Sequence, residues 1–156
     1  MTDRELYYME LADLKVAQKS KDWSSKVGCV IISDGEIITA CNTIPDGCKE
    51  EDYKQERPEK YFWFVHAEKN TIAQAAKLGI STDGGEMFLN WYCCSGCAGL
   101  IVQAGIKTLY VDCEPDWNDE IRGKDRQRSK EILESGGVEV IYTNYVAHRQ
   151  GIKKTF

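Results

Sequence analysis

The chain contains no apolar run approaching the roughly 18 residues that a membrane span requires. No internal repeat, low-complexity tract or domain-sized linker divides its 156 residues, so a single domain over residues 1–156 is expected, long enough to bury a real core. A basic block is missing too. The net charge is −5, and the 20 lysines and arginines are scattered among 25 acidic residues. Gripping a phosphate backbone takes a basic stripe, so neither nucleic acid nor a membrane is expected as a partner, and a small molecule is. The opening MTDRELYYMELADLKVAQKS lacks the basic start and continuous apolar stretch of an export signal. The expected compartment is therefore the cytoplasm.

Cysteine is plentiful by contrast: seven, an odd number. Without an export signal, metal ligands and buried thiols account for them better than a disulfide framework. Cys29 and Cys41 sit in strand-like runs, VGCVII and IITACN, and read as small core hydrophobes. Residues 3–19 read as a helix whose apolar face is Leu6, Met9, Leu11, Leu14 and Ala17, interrupted by Glu10 and Asp13. Two β-rich runs, 26–33 and 36–42, flank Ser33-Asp34-Gly35, a hairpin signal. A polar loop from Ile44 to about Lys60 precedes a helix near 66–78, closed by Gly79. Then come a strand near 87–91, a helix near 95–104, a strand at 108–112, a helix near 125–134 and a strand at 138–142, with a polar tail from Asn144. Strands alternating with helices after a hairpin predict an α/β fold with helices on both sheet faces. In such sheets ligands sit where strands hand over to helices.

Two motifs open two of those helices: VHAEKN at 65–70 and CCSGCAGLI at 93–101. A catalytic zinc site takes three protein ligands and keeps one position open. His66, Cys94 and Cys97 supply one nitrogen and two sulfurs. In a first helical turn C-x-x-C points both thiolates to one side, where unsatisfied N–H groups favour their charged form. Glu68, two residues from His66, sits beside such a site without ligating the metal. A zinc-activated water and a carboxylate that takes its proton and returns it to a ring nitrogen and a leaving amine are the parts that hydrolytic deamination needs. H-x-E followed by a C-x-x-C is a known zinc-deaminase pattern. The only other histidine, His148, lies in the polar tail with no cysteine near it.

The sequence resembles the cytidine and deoxycytidylate deaminase family, most of all its bacterial and phage deoxycytidylate deaminases. SSKVGCVII, the IPDG loop, ERPEKYFWFVHAEKNTIAQAAKLGI and CSGCAGLIVQAGIKTLYV carry the likeness. It implies a three-layer α/β/α sandwich with a mixed five-stranded sheet, one zinc ion per chain, and a homo-oligomer, hexamer or smaller. Two positions depart from the pattern. Cys93 stands where a proline usually precedes the first zinc cysteine, and is read as a spectator thiol. Ala40-Cys41-Asn42-Thr43 keeps the asparagine of the family's G-Y-N-G loop but neither glycine, which puts nucleotide regulation through that loop in doubt.

The implied reaction is conversion of dCMP to dUMP with release of ammonia. For the 5′-phosphate, Lys26 is the first candidate cation, with Arg57 and Lys60 as neighbours. Asn42 is a candidate contact to the sugar, and Ala67, Trp91 and Tyr92 to the base. Two rivals stay open: a deaminase of another free base, nucleoside or nucleotide, or of tRNA adenosine, and a zinc-binding or redox module without turnover.

Overall fold

A computed structural model describes residues 1–146; His148 and the rest of the polar tail lie outside them. The sheet has five strands in the order β2-β1-β3-β4-β5: β1 (Gly28–Ser33), β2 (Glu36–Cys41), β3 (Glu86–Leu89), β4 (Thr108–Val111) and β5 (Glu139–Tyr142). β1 pairs antiparallel with β2 and with β3, whereas β3, β4 and β5 run parallel, as helical crossovers between them require. Ser33 pairs with Glu36, and the two residues between them, Asp34 (φ 49°) and Gly35 (φ 81°), make the left-handed turn that suits a two-residue hairpin.

Alternation along the strands assigns the two faces. Cys29, Ile31, Met87, Leu89, Leu109 and Val111 point to one side, covered by α3 (Ala67–Leu78), α4 (Ser95–Gln103) and α5 (Gly123–Ser135). Val30, Phe88 and Tyr110 point to the other, where the N-terminal helix α1 (Asp3–Glu10) and Tyr145 close the core. The result is helices, sheet, helices: a three-layer sandwich. Phe88 and Tyr110 stack at 4.3 Å, and each fully buried side chain of this size contributes about 1.5–3 kcal/mol.

The N-terminal helix departs from the expected single face. Thr2 and Glu5 cap it reciprocally, but after Glu10 it widens to a π-helix over Leu11–Val16 and ends in a 3₁₀ turn at Ala17–Lys19. The change of pitch turns Ala12 and Val16 inward and leaves Leu14 exposed. Gly28 explains the detour, because a Cβ there would collide with the Ala12 carbonyl oxygen and the Ala17 nitrogen. The helix bends around the start of β1, and only glycine permits that approach. Of the two strand cysteines, Cys29 is fully buried and Cys41 half-buried. The expected loop before α3 holds a 3₁₀ turn at Asp52–Gln55 and a short helix, α2 (Lys60–Trp63).

Candidate active site

His66 is the N-cap residue of α3 and Cys94 that of α4. Both have extended backbones and make no side-chain cap hydrogen bond, so both side chains are available to a metal. His66 stands beside the sheet because Thr43, just after β2, and Val65 form a β-bridge, with N···O distances of 3.1 and 2.8 Å. Asn70 adds a bond from Nδ2 to the Cys41 carbonyl at 2.9 Å. On the other side, Ser95 donates its backbone N–H to Asp125 at 3.2 Å, joining the starts of α4 and α5.

The ligand atoms of His66, Cys94 and Cys97 all lie within 4.8 Å of one another. The His66 Nδ1 is 3.5 Å from Cys94 Sγ and 3.4 Å from Cys97 Sγ. Zinc bonds of ordinary length at a tetrahedral angle place nitrogen and sulfur about 3.6 Å apart, so the trio fits a zinc ion without rearrangement. Cys97 is buried against the core while His66 faces solvent, and the open side is the cavity. A hydrogen bond from Cys97 pulls the Cys94 thiol down to about 4, and the same contact pushes Cys97 up. The hydrogen bond with Cys94 raises His66. Glu68, in the first turn of α3, is only 4% exposed; burial pushes its carboxyl up, against the pull of His66. Such a carboxyl keeps a proton more readily than an exposed one does. Cys93 lies outside the trio: it is buried, its sulfur is 3.3 Å from Ser129 Oγ, and burial pushes its thiol up to about 12.

A cavity of about 360 Å³ opens onto this cluster. His66, Ala67, Glu68, Cys94, Trp91, Tyr92 and Asn42, all singled out from sequence, line it. Lys26 does not. Its neighbours Ser25 and Val27 face the cavity, and alternation turns Lys26 away, so that its ammonium donates to the Ser20 carbonyl. Arg57 and Lys60 do line it. Sequence reasoning missed Arg122 and Arg126, which reach the cavity from the start of α5; their i, i+4 spacing at a helix start was the available signal. Asn42 is heavily committed: Nδ2 donates to Asp22 (2.9 Å) and to the Ser25 carbonyl (3.1 Å), and Oδ1 accepts from the Val27 N–H (3.0 Å).

The sequence model of the cytidine and deoxycytidylate deaminase zinc-binding region matches residues 2–113. The chain belongs to that family. It is 37% identical over 111 residues to the deoxycytidylate deaminase of Pongo abelii, covering 66% of this chain and spanning 61% of that protein's length. It is 31% identical over 138 residues to an uncharacterized deaminase of Aliivibrio fischeri, covering 86% of this chain and 90% of that one. Among solved structures, the dCMP deaminase of cyanophage S-TIM5 in complex with dCMP and dUMP superposes with a TM-score of 0.73 at 29% identity, covering 92% of this chain and 99% of that one. This family member thus carries the family's zinc-binding region on the family's sheet. No helix of the described residues is long and apolar enough to cross a membrane.

Proposed function

We propose that the protein hydrolyses dCMP to dUMP and ammonia. Its zinc is held by His66, Cys94 and Cys97, and its protons are moved by Glu68. The observation that carries this reading is a buried carboxyl, Glu68, lining the same cavity as His66 and Cys94 of the metal trio. Zinc, when bound, supplies the Lewis acidity that makes water a nucleophile at neutral pH. Glu68 takes one proton from the attacking water and hands it to N3 of the cytosine ring as oxygen bonds to C4. It then carries the second proton from that oxygen to the exocyclic amine, the C4–N bond breaks, and ammonia leaves a C4 carbonyl behind. A carboxyl whose pKa burial raises is suited to both transfers. Trp91, Tyr92 and Phe64 give the cavity aromatic walls for the base, and Arg57, Arg122 and Arg126 supply the positive charge for a 5′-phosphate.

The names of the Pongo abelii and cyanophage relatives support the choice of dCMP. A zinc-binding module without turnover has no use for a carboxyl buried beside the ligands. The reading includes the cytoplasm as compartment and a homo-oligomer, hexamer or smaller, which light scattering tests. Ammonia release should be assayed across cytosine, deoxycytidine, dCMP and adenosine. Highest kcat/KM on dCMP is expected, and release from another compound alone would overturn the substrate.

A further inference from the structure

Beside the metal trio, four polar residues are almost fully buried in one cluster: Ser20, Asp22, Asn42 and Lys60 are 3, 1, 6 and 8% exposed. Asp22, Asn42 and Lys60 line the cavity. The cluster adjoins the reacting end of the site, since the antiparallel Thr43–Val65 bridge sets Asn42 opposite His66.

Asp22 is its hub. Its Oδ1 accepts from the backbone N–H groups of Ser24 (2.8 Å) and Ser25 (3.1 Å) and from Lys60 Nζ (2.6 Å), and its Oδ2 accepts from Asn42. Asn42 therefore spends both amide hydrogens on the protein. Lys60 is placed differently. An ammonium carries three N–H donors, and among the described residues Lys60 gives two of them, to Asp22 and to Ser24 Oγ. The third meets no oxygen or nitrogen acceptor among those residues, only the Phe64 ring, whose centroid lies 5.7 Å from the ammonium nitrogen, and the residue faces the cavity. Leaving a buried donor unpaired costs free energy that a ligand oxygen would recover. Glu68, Arg57, Arg122 and Arg126 line the same cavity as this wall, so a nucleotide with its base at Glu68 and its phosphate at the arginines, as proposed above, would bring its sugar to it.

We propose that Lys60 is a substrate-binding residue whose third N–H donates to the 3′-oxygen of the sugar, while Asp22 and Asn42 hold the wall that aims it. The inference rests on the dCMP reading above. It makes Lys60, in the ERPEKY segment, the residue through which the site recognises a sugar hydroxyl.

The test compares dCMP with 2′,3′-dideoxycytidine monophosphate, which lacks only that oxygen, in the zinc-loaded protein. The wild type should favour dCMP in kcat/KM by about ten- to a hundredfold. Lys60→Met alone strands the buried Asp22 carboxylate, so the decisive variant is Asp22→Asn/Lys60→Met, which removes both charges. In it the preference should fall to within about threefold of unity, through loss on dCMP alone. Asp22→Asn with Lys60 intact should keep most of the preference. Equal losses on both nucleotides in the double variant would make Lys60 a purely structural residue and overturn the proposal, as would a wild type indifferent to the 3′-oxygen. A wild type inactive on dCMP, yet active on another compound, would instead overturn the substrate on which the proposal rests.

Discussion

Replacing Arg126 with alanine should penalise dCMP and spare deoxycytidine. The Arg126 side chain is 13% exposed and stands 3.8 Å from Asp119. Its Nη1 donates to the Asp116 carbonyl at 3.2 Å. That is the one hydrogen bond of this guanidinium recorded among the described residues, so most of its five donors remain for a ligand. Screening is weak at this depth compared with the open surface, and a charge-assisted hydrogen bond there is worth about 1.5–3 kcal/mol. The loss on dCMP should thus be about ten- to a hundredfold in kcat/KM. Deoxycytidine, which has no phosphate, serves as the internal control for any disturbance of the loop that Arg126 ties down. A coupled assay for ammonia with both substrates reads the ratio. Lys26→Ala, at a residue turned away from the cavity, should leave that ratio unchanged. Equal losses on dCMP and deoxycytidine in Arg126→Ala would refute the placement of the phosphate.

Other consequences are open to measurement. Changing His66, Cys94 or Cys97 to alanine should remove zinc as read by atomic absorption, whereas Cys93→Pro should retain it; zinc that survives Cys94→Ala but not Cys93→Ala would reverse the assignment. Gly28→Ala should destabilise the fold by about 1–3 kcal/mol in urea titration, because its methyl meets backbone atoms of the π-helix that cannot simply rotate aside. Burial alone would push the Asp22 carboxyl up, but the Lys60 ammonium and the Ser24 and Ser25 N–H groups outweigh it and hold it below its ordinary value. A depressed carboxyl contributes stability above its unfolded pKa of about 3.9 and loses it as pH falls through the lower folded value. The gap in urea midpoint between wild type and Asp22→Asn should therefore be wide at neutral pH and shrink in acid, and a gap independent of pH would contradict the ion pair.

The parts of the molecule legible in the sequence are those written in short, local patterns. Asp34-Gly35 between alternating apolar runs sufficed for the hairpin, and Gly79, at φ 71°, for the end of α3. His66 and Glu68 share one turn, as do Cys94 and Cys97, so their grouping followed once both segments were read as helix starts at one end of the sheet. What escaped depends on distant chain segments. The π-helix at Leu11–Val16 answers the approach of Gly28, which no period in the helix itself encodes. Lys26 and Val27 differ by one position, and only the register of the chain entering β1 decides which faces the cavity. Arg122 and Arg126 reach the site because Asp125 bonds the start of α4, a contact between residues 30 apart.

The most direct measurement of the central claim is ammonia release from dCMP by zinc-loaded Glu68→Gln beside zinc-loaded wild type. The amide keeps the shape of the carboxyl and the fold around it but cannot take up and return a proton. The account predicts full zinc content, an unchanged unfolding midpoint and a fall in kcat of about 10²–10⁴-fold. Near-normal turnover by the zinc-loaded variant would contradict it.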